Sequence, residues 1–236
     1  MKLVERSEEA LGQGQVRVAL KAWSINSRDI MVAMGHSPVR VADELTPLSD
    51  ATGVVMETGP GVHRVAVGDR VVAAFNPAHQ SGAFEAHMGA YAFGEMNQGL
   101  LASEKVLDQM VLVKLPENVS FSQAACLPCA AVTVWNALFE VGSLKPGQTV
   151  LATGTGTVSL IAMQFAKASG ARFGITSSDD AKLDRATSLG ADFVVNYKER
   201  LDWDAAVREQ TEGSGADVVL ETAGPPSVAT SVKAAA

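Results

Sequence analysis

Residues 149–180, TVLATGTGTVSLIAMQFAKASGARFGITSSDD, constrain the fold more than any other stretch of the chain. A run of small and apolar residues over 149–153 has the length of a short buried strand and breaks at Gly154 and Gly156. Beyond the glycines, Val158, Ile161, Ala162, Phe165 and Ala166 recur at helical spacing, so a helix packs one face on a sheet. A second strand follows over 171–176. Strand, glycine turn, helix, strand is the parallel unit whose helix N-terminus presents unpaired N–H groups to a diphosphate.

Each position of the turn GTGTVS has a physical task. Gly154 permits the tight exit from the strand, Gly156 lets the backbone approach phosphate without a Cβ in the way, and Thr157 and Val158 carry the turn into the helix. Ser159 holds the third glycine position, where a small side chain can nearly provide the close helix-to-strand contact. A glycine-rich strand-to-helix turn can also be purely structural. The complete strand–helix–strand context favours dinucleotide binding. NAD sites place a carboxylate about 20 residues beyond the turn to hold the ribose 2′-OH. Here the second strand ends in Thr176, Ser177 and Ser178, with Lys182 one turn into the next helix and Asp179 and Asp180 only after the serines. Hydroxyls and an ammonium accept a 2′-phosphate that a carboxylate at the strand tip would repel. NADP is therefore the expected cofactor, with NAD the alternative. Ser178 or Asp179 can also cap the helix expected over 179–188.

With 236 residues, 47% hydrophobic and 19% charged, the chain is globular and can bury a sizeable core. A net charge of −7 without a Lys/Arg run argues against a nucleic-acid surface. No apolar run reaches the ~20 residues of a membrane span, and the opening MKLVERSEEA has no signal-peptide core, so a cytoplasmic location is expected. Two cysteines, Cys126 and Cys129, do not make a disulfide scaffold.

The first third reads as β-rich, with strands over 15–22, 50–57 and 69–74 and glycine turns between them. Residues 36–46 form a loop, 76–104 a loop or short helical insertion, and 107–115 another strand. Ser120 or Ser122 caps a helix through Ala125, and a second apolar helix runs from Pro128 to about Val141. Further strands are expected over 193–196 and 217–221, with a helix over 203–211 between them.

SINSRD at 24–29, GVVMETGPGVHRVAVGDRVV at 53–72, LPCAAVTVWNAL at 127–138, the GTGTVS turn, LGADFVVNYKE at 189–199 and DVVLETAG at 217–224 together resemble the medium-chain dehydrogenase/reductase superfamily, in its zinc-free alcohol dehydrogenase or quinone oxidoreductase-like branch. The resemblance implies an α/β protein: a GroES-like β-rich domain over 1–122 and an incomplete doubly wound, or Rossmann, parallel sheet over 123–236. It places Asn26 as the catalytic residue facing nicotinamide and substrate, and Thr133 beneath the ring. Tyr197 would lie near the adenosine phosphate, and Thr222, Ala223 and Gly224 would line the cofactor groove. The implied reaction is hydride transfer between the nicotinamide and a small carbonyl, quinone or enone substrate. Asp29, Tyr91 and His87 are the candidates for a general acid, each more readily explained structurally.

Zinc-containing relatives resemble this chain but carry Cys where Asn26 stands and His-Glu where Ser49 and Asp50 stand, with a further ligand at Cys129. One thiol with an amide and a serine does not make a catalytic zinc site, so no metal is expected. The pair Cys126 and Cys129, in CLPC, reads as buried thiols rather than a redox couple. Four of the six strands of a doubly wound sheet can be found. The chain thus reads as a truncated copy whose fourth strand is an open edge inviting association, although the family's dimer strand is missing. Two readings remain: an NADP-dependent zinc-free oxidoreductase, or a catalytically impaired dinucleotide-binding scaffold derived from that family.

Overall fold

A computed structural model describes residues 2–5, 10–82, 85, 88 and 91–236. His87 lies outside the described residues. The chain divides into two compact units, Met1–Cys129 and Ala130–Ala236.

The first unit is built on a five-stranded antiparallel sheet. Its strands are β1 (Gln15–Ser24), β2 (Asp50–Thr58), β3 (Arg70–Ala73), β4 (Glu104–Asp108) and β5 (Leu112–Lys114), in the order β4-β1-β2-β3-β5. Val16, Val18 and Leu20 alternate with more exposed residues along β1, the period-two pattern of a sheet with one face on a core. They pack with Val55, Val71, Leu107 and Leu112. The single strand expected over 107–115 is broken. Asp108 accepts from Met110 N at 2.8 Å, which starts a 3-10 turn over Gln109–Val111. The Gln109 side chain is buried and accepts from the backbone N–H groups of His63 (2.8 Å) and Arg64 (3.0 Å). This turn lets the chain leave β4 on one edge of the sheet and enter β5 on the other. A short helix, α1 (Ser27–Ala33), follows β1, and α2 (Phe121–Ala125) starts at a capping box of Ser120 and Gln123.

The helix expected beyond Pro128 forms with wide turns: π-helical Leu127–Ala131, then α3 (Val132–Trp135), then π-helical Asn136–Val141.

The second unit holds a parallel sheet, β8-β7-β6-β9, made of β6 (Thr149–Thr153), β7 (Arg172–Ser177), β8 (Phe193–Asn196) and β9 (Val218–Leu220). Every residue of β6 is buried, because helices cover both faces, which is why the strand reads as an unbroken run rather than an alternation. Val150, Ala152, Phe173 and Ile175 pack with Ala162, Met163 and Ala166 of α4 (Thr157–Ala168) and Leu183 of α5 (Asp180–Ser188). Leu151 points the other way, joining Trp203 and Val207 of α6 (Trp203–Gln210) and Ala234 of α7 (Pro225–Ala234). Each fully buried large side chain here, such as Phe173 or Leu151, is worth roughly 1.5–3 kcal/mol. Among the described residues no helix is long and apolar enough to cross a membrane.

Candidate functional site

The carboxyl ends of β6, β7, β8 and β9 face the same way, so the loops that follow them form one edge. β6 delivers the chain to Gly154, whose φ of 78° suits glycine. Gly156 is the N-cap of α4, with ordinary backbone angles (φ −78°, ψ 176°). A Cβ added at either glycine would meet nothing within 4 Å, so the space beside the turn is open. Ser159 is fully buried, its hydroxyl 3.4 Å from Thr153 O, and so makes the close helix-to-strand contact. Thr157 is exposed, whereas Val158 is half-buried and packs on the core.

Among the helices that begin along this edge, α4 and α6 have no side-chain cap hydrogen bond, but α6 carries Asp204 in its first turn and α4 has no acidic residue there. The amino end of α5 is filled by Asp179, which accepts from Lys182 N at 3.1 Å. The amino end of α7 is filled by Glu221, just beyond β9. Its Oε1 accepts from Ala223 N (2.6 Å), Gly224 N (3.0 Å) and Ser227 Oγ (2.8 Å), and its Oε2 from Ser231 Oγ. Burial would lift the Glu221 carboxyl, but these hydrogen bonds outweigh it and hold the group below its ordinary value. Internal carboxylates thus occupy the positive ends of α5 and α7, whereas the positive end of α4 carries none.

β7 ends in Ser177, buried, followed by half-buried Ser178 and exposed Lys182 on the first turn of α5. The Asp179 carboxylate is engaged in its cap, and Asp180 Oδ1 accepts from Asn196 Nδ2 at 2.7 Å. Beside these residues lies a cavity of about 300 Å³ lined by Thr153, Thr176, Tyr197, Trp203, Ala223 and Ser227, among others. Thr222 donates from its hydroxyl to Thr153 O at 2.6 Å, which fixes the tip of β9 against β6. Gly154, Gly156, Ser177, Ser178, Tyr197 and Thr222–Gly224 therefore share one edge. Thr133 stands in the same unit on the exposed side of α3.

Asn26 belongs to the first unit, as the N-cap of α1. Its amide donates from Nδ2 to Asp50 Oδ2 at 3.1 Å, an oxygen that also receives Cys129 N at 3.1 Å, while Ser49 Oγ donates to Asp50 Oδ1 at 2.8 Å. Asp50 is completely buried, and that burial raises its pKa although the three donors oppose the rise. The Cys129 thiol is pushed up to about 11 by burial and by the Asp50 charge. An amide, a hydroxyl, one thiol and an already bonded carboxylate do not fit a catalytic zinc ion. Among the described residues no group of three or more His, Cys, Asp or Glu is arranged to hold a metal. Asp29 is buried and accepts from Asn26 N at 2.8 Å, which gives it a capping task. Tyr91 is 43% exposed.

Two groups escaped the sequence reading: Glu221 and the hub at Asp50. The i, i+4 spacing of Ser227 and Ser231 just beyond Glu221 was the available signal for the first. The second had none, because its partners come from positions 26, 49 and 129.

An antiparallel β unit followed along the chain by a parallel sheet with an open glycine turn is the architecture of a GroES-like domain joined to a Rossmann-like one. Residues 12–117 match the alcohol dehydrogenase GroES-like domain, and residues 157–236 match the zinc-binding dehydrogenase family. The chain is 39% identical to a zinc-type alcohol dehydrogenase-like protein of Schizosaccharomyces pombe, over 92% of its own length and 63% of that protein. A crystallised NAD-dependent alcohol dehydrogenase superposes with a TM-score of 0.88 at 33% identity, covering 99% of this chain and 70% of the other. The Escherichia coli quinone oxidoreductase, crystallised with NADPH, superposes at 0.79 and 27% identity, covering 99% and 65%. The chain belongs to the medium-chain dehydrogenase/reductase superfamily, as its motifs implied, and spans somewhat under two thirds of the S. pombe protein.

Proposed function

We propose that this chain carries the cofactor-binding and substrate-positioning parts of a zinc-independent, NADP(H)-dependent oxidoreductase that acts on a small carbonyl, quinone or activated alkene. The observation that carries the reading is the uncapped, unobstructed amino end of α4 at Gly154 and Gly156. Its N–H groups would hold the diphosphate, with the positive end of α4 opposing the charge. Ser177, Ser178 and Lys182 would take the 2′-phosphate, and the engagement of Asp179 and Asp180 in their own hydrogen bonds supports this. The NADPH bound by the E. coli relative points the same way, whereas the NAD-dependent relative keeps NAD as the alternative.

When bound, the nicotinamide supplies the hydride. Tyr197 would lie near the adenosine phosphate, Thr222, Ala223 and Gly224 would line the cofactor groove, Thr133 would lie beneath the nicotinamide ring, and Asn26, whose amide bonds to Asp50, would face the substrate. Zinc independence rests on the donor set around Asp50, where an amide and a hydroxyl stand beside a single thiol.

Fluorescence titration with NADPH and NADH tests the cofactor, and NADPH consumption with quinones, enals and ketones tests turnover. NADPH should bind more tightly than NADH, and Lys182→Ala should weaken NADPH about five- to tenfold, one charge-assisted contact at an exposed site, while leaving NADH unchanged. Equal loss of both cofactors would remove Lys182 from the 2′-phosphate, and binding without turnover would leave a dinucleotide-binding protein.

A further inference from the structure

Glu221 joins three parts of the dinucleotide edge through one carboxylate. Thr153, the last residue of β6 before the glycine turn, donates to Glu221 Oε1 at 3.1 Å and accepts on the same hydroxyl from Thr222 N at 2.8 Å. Ala223 N and Gly224 N, from the loop after β9, converge on that oxygen at 2.6 and 3.0 Å. Ser227 and Ser231, one turn apart on α7, complete the ring of donors. Gly224 holds a φ of 89° at the N-cap of α7, which turns its N–H inward to the carboxylate. Ala223 and Ser227 also line the cavity beside the glycine turn.

We propose that Glu221 is a positioning residue that serves as the resident anion of α7, fixing the tip of β9 against β6 and leaving α4 as the helix end that receives the cofactor diphosphate. Resting on the dinucleotide reading, the proposal adds to it a specific division of labour between two helix ends. Without the Glu221 carboxylate, the N–H groups of Ala223 and Gly224 would form a second anion seat beside the first. The restraint on Thr153, and through it on the start of the glycine turn, would be lost.

A small carboxylate should be able to stand in for the missing one, which separates positioning from general damage to the fold. In Glu221→Ala the NADPH dissociation constant, followed by cofactor fluorescence, should rise about tenfold, and saturating formate should return it to within about twofold of wild type. Formate should also raise the melting temperature of Glu221→Ala and move the amide resonances of Ala223 and Gly224, with no such response in wild type. Glu221→Gln fills the space and retains one acceptor, so it should fold, lose about threefold in NADPH affinity and show no formate response. Unchanged NADPH affinity in both variants, or a folded Glu221→Ala that formate neither stabilises nor restores, overturns the proposal. Failure of wild type to bind either cofactor would instead overturn the dinucleotide reading, while the formate-dependent stabilisation of Glu221→Ala would still decide the role of the carboxylate.

Discussion

Replacing Gly156 by valine should abolish cofactor binding while leaving the fold almost untouched, because the two properties depend on different features of that residue. Its backbone angles, φ −78° and ψ 176°, are ordinary for any L-residue. An added Cβ would enter space with no atom within 4 Å. The remaining folding cost is the exchange of a good N-cap for a poor one, about 0.5–1 kcal/mol. The same open space is the seat proposed for the diphosphate. An isopropyl group there would displace about two charge-assisted hydrogen bonds of roughly 1.5–3 kcal/mol each. That loss corresponds to at least about 100-fold in the NADPH dissociation constant. Gly154→Ala provides the contrast: at φ 78° an L-residue pays about 1–2 kcal/mol, so that variant should lose stability first. Urea unfolding and NADPH fluorescence titration on both variants read the two effects separately. If Gly156→Val bound NADPH within threefold of wild type at normal stability, the diphosphate would not sit on this turn.

The remaining expectations concern charge and packing. Asp50 has a raised native pKa, so the stability it contributes is present below its unfolded value and is lost as pH rises through the native one. Compared with wild type, Asp50→Asn should therefore be least stable at low pH and regain ground by pH 7 in unfolding experiments, and the reverse trend would show that the paired carboxylate is the favoured form. With its thiol pushed up to about 11, Cys129 should alkylate far more slowly than Cys126 at pH 8, and chelators should leave NADPH-dependent turnover unchanged. Arg208 donates to the carbonyls of Lys233, Gly213 and Ala235 and so anchors the end of α7. Arg208→Met should cost about 2 kcal/mol in urea unfolding, and a loss below about 0.5 kcal/mol would deny it that role.

Local physics explains what the sequence disclosed. The strand–turn–helix–strand unit was legible because its apolar spacing, glycines and capping aspartate act within a few residues of one another, and Asp179 does cap α5. Ser159 was legible as a glycine substitute because burial at the start of α4 demands only a small side chain. The break between β4 and β5 was not, since it depends on Gln109 reaching His63 and Arg64, residues distant in sequence. Asp50 was read only as a departure from a zinc ligand, whereas its partners make it the centre of a hydrogen-bonded cluster. For Glu221 the residues were in plain view, but nothing short of the β6–β9 pairing brings Thr153 to it.

A crystal structure of the protein grown with NADPH examines the central claim most directly. The diphosphate should lie against the backbone N–H groups of Gly154–Val158, with the 2′-phosphate in contact with Ser177, Ser178 and Lys182 and the Glu221 carboxylate still seated on Ala223 and Gly224. Density for the diphosphate at the amino end of α7 or away from the glycine turn, or a 2′-phosphate directed into solvent past Asp179, would contradict it.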